Sequence, residues 1–209
     1  MLTPVIQQAA TSLLSGTIPP DWTKRWDAGP EKPQGWLREL VRKRIALMKW
    51  KSSSARGNLL AEPLTLGDLF NPATFVNALR QQTARQLGTA IDRVKMICSW
   101  DKDMKALKAS CPLTCTIANL LLQGAAFHSN SLQESASEAS ELSPAPHVSI
   151  GFIPTSGSEP YGKGQAIGIP VFLSTSREEY LMEIQMPCES GSKDKWVLSG
   201  VALFLSEAE

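Results

Sequence analysis

The stretch LFNPATFVNALRQQTAR, Leu69–Arg85, holds the clearest helix start in the 209-residue chain and joins two halves of opposite character. Asn71 can accept a hydrogen bond as an N-cap, and Pro72 suits the first helical position, where its missing N–H leaves nothing unpaired. From there the spacing predicts a helix with Phe75, Ala78, Leu79, Gln82 and Gln86 on one face. Val76, Thr83 and Leu87 lie on its flank, and Arg80 and Arg85 point away. A surface helix with solvated charges and a helix that docks on a partner both fit this pattern.

The two halves differ in charge. Residues 1–110 hold 17 Lys or Arg against 9 Asp or Glu, and residues 111–209 hold 4 against 11, so a net charge of +1 conceals +8 followed by −7. Hydrophobic residues at 43% and charged residues at 20% describe a globular protein. The near-neutral total argues against indiscriminate adhesion to nucleic acid or membrane, so neither is expected as a partner. No run approaches the roughly 20 apolar residues of a membrane span, and no basic-then-apolar leader opens the sequence, so the expected setting is cytoplasmic and reducing. Cys98, Cys111, Cys115 and Cys188 are accordingly read as free thiols.

Upstream, Thr3-Pro4 starts a helix whose residues Val5, Ile6, Ala9, Ala10, Leu13 and Leu14 recur at helical spacing before Gly16, so one packed face is expected. Trp22 and Trp26 lie four apart after Pro19-Pro20. At that spacing they are expected in a core or interface, because each ring offers a large area to bury. Beyond the breaks at Gly29-Pro30 and Pro33, an amphipathic helix runs from Trp36 to about Lys51 with Leu37, Leu40, Val41, Ile45, Leu47 and Met48 as its stripe. Arg38, Arg42, Lys43, Arg44, Lys49, Lys51 and Arg56 stand almost alone against Glu39. Such a face either is solvated or resembles the basic helices that bind acidic partners, phosphates or calmodulin. Lys51–Gly57 reads as a Ser-rich linker.

Downstream, Val94–Trp100 is rich in β-formers, and Asp101–Lys108 is a charged connector. Short β-prone runs then follow at Leu113–Phe127, Val148–Ile153, Ile167–Leu173, Tyr180–Met186 and Trp196–Leu205. The expected fold is α+β, with a helical subdomain at 1–110 and a small antiparallel β-barrel or sandwich at 111–209. A Ser-, Glu- and Pro-rich mobile loop is expected at 131–146. Trp196 is expected to be buried in the last strand, near Val201 and Leu203.

Chemistry is sparse. Gly162-Lys163-Gly164 lacks the following Ser or Thr and the strand-to-helix context of a phosphate loop, so it reads as a hairpin turn and no nucleotide cofactor is expected. Cys111 and Cys115 have near-ligand spacing, but a structural zinc site needs four ligands and Cys98, Cys188, His128 and His147 are scattered singly, so no metal is expected. A cysteine hydrolase would need a local signature around a thiol, and none is present. The protein is expected not to be an enzyme, with no catalytic residue.

The residues Leu69, Phe70, Pro72, Phe75, Ala78, Leu79, Arg80, Gln81, Thr83, Ala84 and Arg85 resemble a segment of the C-terminal region of dynein heavy chains, a gapless match over eleven positions. A looser resemblance extends back over Pro19, Trp22, Trp26, Gly29, Pro30 and Leu37. It continues forward through Ile117, Leu120, Leu122, Gly124, Ala125 and Phe127, then Ile169, Pro170, Val171 and Arg177, and last Trp196, Gly200, Val201, Ala202 and Leu203. Asn119 stands where the family commonly has glycine and Gln123 where it commonly has an acid. Asparagine tolerates positive φ, so a bulge there survives, whereas a family salt bridge at Gln123 is put in doubt. Met186–Cys188 and the terminal Leu-Phe-Leu are most similar to the cytoplasmic dyneins of intraflagellar transport.

The resemblance implies a non-catalytic domain that caps the ring of AAA+ modules of its own heavy chain and modulates minus-end-directed stepping in cytoplasm, cytoskeleton and cilium. Accessory chains and microtubules are then partners only through the full motor. Partner contact is expected at Arg38, Arg42, Lys43, Lys49, Arg80 and Arg85, and Phe70, Pro72, Phe75, Gly124, Trp196 and Gly200 form the structural motif. A rival reading, a nucleic-acid-binding protein with a basic helix beside an OB-like barrel, is weakened by the acidity of the second half and its few aromatic residues.

Overall fold

In the computed structural model Asn71 does cap the organising helix: its Oδ1 accepts the Thr74 N–H at 3.1 Å, and the helix runs Pro72–Gln86 (α3). The structure describes residues 3–25, 33–100, 105–135, 141–158, 165–189 and 193–206, with the backbone alone at Lys24 and Arg25. Two compact units, residues 1–52 and 53–209, partition the protein. In α3 the buried residues are Pro72, Leu79, Thr83 and Ala84, so the inward stripe is turned from the expected one. Ala78, Gln82 and Gln86 are exposed and Phe75 is half-buried. The cause is Thr83. Its hydroxyl donates to the Leu79 carbonyl at 2.9 Å, and a hydroxyl so satisfied can be buried at little cost. Arg80 is half-buried rather than turned away, while Arg85 is exposed as expected.

In the first unit, α1 (Pro4–Leu14) is capped by Thr3, and Gly16 ends it at φ +77. The Gln34 amide closes that end by donating to the Leu13 carbonyl at 3.1 Å. Contrary to the packed face expected, α1 buries no residue, and Val5 and Leu14 are 61% and 86% exposed. An amphipathic period fixes which residues share a face but not that anything covers it. Trp22, in a 3₁₀ turn at Pro20–Arg25, meets Trp36 edge-on at 6.1 Å. Trp26 and Gly29-Pro30 lie outside the described residues. The second helix (α2) spans Pro33–Ala55, so Ser52–Ala55, read as linker, is its last turn. Serine is only mildly unfavourable in a helix, and three in a row do not stop one already nucleated.

In the second unit the strands are β1 (Leu64–Thr65), β2 (Val94–Ser99), β3 (Thr114–Ala118), β4 (Leu120–Gln123), β5 (Ala126–His128), β6 (Ser131–Gln133), β7 (Leu142–Pro144), β8 (Val148–Pro154), β9 (Ala166–Phe172), β10 (Tyr180–Pro187) and β11 (Ala202–Leu205). The helices α4 (Lys105–Ser110) and α5 (Lys193–Leu198) are short. One sheet has the order β1-β3-β8-β2, another β10-β9-β11-β4-β7, and β5 with β6 forms a ribbon. The α+β class therefore stands. The arrangement is not a closed antiparallel barrel, because β1–β3 and β9–β11 pair in parallel and no ladder joins β2 to β10 among the described residues. β8 is buried from Val148 to Ile153, both faces inward, whereas β10 shows the alternation of a half-exposed strand.

Asn119 alone separates β3 in one sheet from β4 in the other. Its φ of 56 turns the backbone, its side-chain amide donates to Thr65 Oγ1 at 2.9 Å, and its carbonyl accepts the Ser206 N–H at 2.9 Å. Two strands, β6 and β7, fall within 131–146, the segment read as a mobile loop, and residues 136–140 of it lie outside the described ones, as do Gly162–Gly164. Trp196 is 4% exposed, as expected, yet it sits in α5 and not in a strand. The apolar run Trp196–Leu205 is broken at Ser199-Gly200, where Gly200 at φ +62 ends the helix before β11 begins.

Candidate docking surfaces

Residues 38, 41, 45 and 48 of α2 recur at helical spacing, and Val41, Ile45 and Met48 are 55%, 63% and 52% exposed. Arg38 and Lys49, one at each end of that stripe, are exposed as well. Arg42 and Lys43 are more engaged: the Arg42 guanidinium and the Lys43 ammonium both lie 3.0 Å from Glu39 Oε1. One carboxylate thus offsets part of the charge at the centre of the row, leaving Arg38 and Lys49 as its outer cations. Of the six cations expected at a partner surface, these four stand on α2, and Arg80 and Arg85 stand on α3 in the second unit.

The motif residues of the second unit are structural in different ways. Pro72 is buried at the start of α3, Phe75 is half-buried, and Phe70 is 57% exposed. Gly124 at φ +82 sits so close to the following connection that a Cβ there would lie 3.0 Å from the Ser199 carbonyl oxygen and 3.3 Å from Val201 Cα. No larger residue fits that corner without strain. Gln123, in place of the family's usual acid, accepts from Arg177 Nη2 at 2.8 Å, and the same nitrogen donates to the Gly200 carbonyl at 2.8 Å. A neutral amide makes no salt bridge, so the contact of Gln123 with Arg177 is a charge-assisted hydrogen bond, with the guanidinium 5.6 Å from the Phe204 ring centre.

Between β2 and β10 lies a seam that sequence reasoning did not reveal. At one end it is closed, because Trp100 Nε1 and Cys98 Sγ both donate to the Gln185 carbonyl, at 2.8 and 3.0 Å. At the other it opens into a groove of about 430 Å³ lined by Val76 and Arg80 of α3, Met96 of β2, and Tyr180, Met182 and Glu183 of β10. A second hollow of about 500 Å³, between Phe70 and Tyr180, carries Glu178 and Glu179 and shares Ala73, Tyr180 and Leu181 with the first.

Three of the four buried thiols are held in their protonated form. Burial pushes Cys98 and Cys115 up to about 12 and Cys111 up to about 11, which keeps them protonated and unreactive near neutral pH. Among the described residues no three His, Cys, Asp or Glu side chains gather as a metal site would need. What the geometry offers is surface: an exposed basic and apolar helix face, and a groove between two strand edges.

A family model that describes the C-terminal domain of dynein heavy chains matches residues 1–205. The protein is 36% identical over 205 residues to cytoplasmic dynein 2 heavy chain 1 of Homo sapiens, an alignment that takes in 98% of its own length and 5% of the relative's. It is 33% identical over 211 residues to the protein of the same name from Chlamydomonas reinhardtii, taking in 96% of its own length and again 5% of the relative's. To a ciliary dynein beta chain of Tripneustes gratilla it is 24% identical over 205 residues, 98% of its own length and 4% of the relative's. It thus spans about a twentieth of the length of the dynein 2 relatives it matches.

Proposed function

Because the protein belongs to the family of C-terminal domains of dynein heavy chains, we propose that it is a non-catalytic regulatory domain that docks on the AAA+ ring of its own heavy chain and modulates microtubule minus-end-directed stepping. The greater similarity to dynein 2 than to the ciliary beta chain favours service in retrograde intraflagellar transport, in the cytoplasm, on the cytoskeleton and within the cilium. ATP hydrolysis and microtubule binding belong to other parts of the motor in this reading, and accessory chains are met only through the complete motor.

The observation that carries the docking role is the exposed face of α2, where Val41, Ile45 and Met48 lie in solvent between Arg38 and Lys49. An apolar centre with a cationic rim suits an acidic protein surface. Rim charges act modestly one at a time, so reversing Arg38, Arg42 and Lys49 together is the informative change, and most of its effect should come from Arg38 and Lys49. In a full motor with the triple reversal, velocity or run length in single-motor assays should change in a salt-dependent manner while basal ATPase persists. Unchanged stepping at all salt concentrations, in a correctly folded variant, refutes the role of this face.

A further inference from the structure

The groove between β2 and β10 has three properties that together specify an occupant. The first is that it is bounded by two strand edges. The Arg93 carbonyl accepts the Thr155 N–H from the β8 side at 2.8 Å, so by the alternation of an antiparallel ladder the main-chain groups of Val94, Met96 and Cys98 face away from β8. The Val94 carbonyl does so, since it accepts from Arg80. On β10 the Gln185 carbonyl faces away from β9 toward Trp100, and two residues earlier Glu183 stands opposite Pro170, which has no N–H to offer. Met96 and Glu183 therefore turn main-chain donors and acceptors toward the groove, which is the surface an added strand uses.

The second property is an unsatisfied cation. Arg80 Nε is buried and has no hydrogen-bond partner, and Arg80 Nη2 has one long bond, 3.5 Å, to the Val94 carbonyl. The nearby carboxylate of Glu183 is committed elsewhere: it lies across Gly168 and accepts the Gln185 side-chain amide at 3.0 Å. A buried guanidinium nitrogen without an acceptor is costly, and a carboxylate is the group whose geometry best meets it. The third property is charge segregation, because the adjoining hollow past Tyr180 carries Glu178 and Glu179.

We propose that this groove is a docking site for an extended segment of a separate polypeptide, one with a carboxylate among apolar side chains and a cationic side chain beyond it toward Glu178 and Glu179. A second copy of the protein is a poor occupant, since β10 paired antiparallel with its own copy about Glu183 sets two carboxylates directly opposite and puts Pro187 and Cys188, not a cation, across from Glu179 and Glu178. The inference concerns the second unit alone and does not depend on how α2 is used.

The test uses the whole 209-residue protein and a short fluorescein-labelled peptide of alternating valine and threonine with a central aspartate and a terminal lysine. Saturable binding by anisotropy is expected, about tenfold weaker when the probe's aspartate is replaced by asparagine. Arg80→Gln should remove that preference. Ala73→Trp, at an exposed position of α3 that lines both hollows, should abolish binding with the circular dichroism spectrum unchanged, and it decides the matter alone if the Arg80 variant does not fold. No saturable binding, binding that survives Ala73→Trp, or an aspartate preference that persists in Arg80→Gln each overturns the proposal. So does self-association in sedimentation that Ala73→Trp disrupts, which would assign the groove to a second copy.

Discussion

Helix α3 buries Leu79, Thr83 and Ala84 and lies against β8 and β2 of its own unit, whereas α2 carries Val41, Ile45 and Met48 in solvent along a stripe of the same helical period. Both helices follow the same amphipathic rule. The difference lies in what each stripe meets. Where sheets supply the other half of the contact, the stripe stabilises the fold; where none of the described residues of the unit covers it, the stripe is available to a partner and contributes little to folding. The second unit, in consequence, should hold most of the measurable stability, and the face of α2 should tolerate change.

The strongest way to break this comparison is at Trp196. Replacement by alanine empties a site 4% exposed and should cost about 3 to 5 kcal/mol in denaturant unfolding. A loss below about 1 kcal/mol would mean that α5 contributes no core. Next is Gly124→Ala, which forces a Cβ against the Ser199 carbonyl at positive φ and should cost about 1 to 3 kcal/mol. A neutral result would show the corner to be adaptable. Asn71→Ala removes the acceptor for the Thr74 N–H and should cost about 1 kcal/mol, a measure of how far α3 depends on its cap. The smallest effect belongs to the first unit: reversing Arg38, Arg42 and Lys49 should move chemical stability by less than about 0.5 kcal/mol while altering motor stepping. A loss above about 1 kcal/mol would place that face in the fold's own packing.

Local signals were the legible ones. The cap at Asn71-Pro72 and the end at Gly16 need only neighbours within a turn, so the residues themselves declare them. The strand runs at Val94–Trp100 and Ile167–Leu173 were readable for the same reason, through their β-branched and apolar composition. What escaped depends on partners far along the sequence or on a detail that hydropathy ignores. The inward turn of Thr83 rests on a hydroxyl finding a carbonyl within the helix, and hydropathy alone ranks threonine below phenylalanine. Parallel pairing of β9 with β11 arises because the backbone passes through α5 between β10 and β11, which the unbroken apolar look of Trp196–Leu205 concealed. Ser199-Gly200 was the available sign of that break. The groove was out of reach because it is assembled from α3, β2 and β10, and its closing bonds join Trp100 and Cys98 to Gln185, 85 and 87 positions away.

The closed end of the seam is fastened to a main-chain oxygen. Trp100 and Cys98 both address the carbonyl at position 185, which every amino acid supplies, so the fastening is indifferent to the side chain there. As far as this fastening goes, evolutionary drift should fall unevenly on its two sides, with the tryptophan at 100 retained and position 185 constrained only by the bond of its amide to Glu183. A family tree that showed the reverse, a fixed glutamine opposite a wandering aromatic, would point to selection acting on the glutamine amide instead.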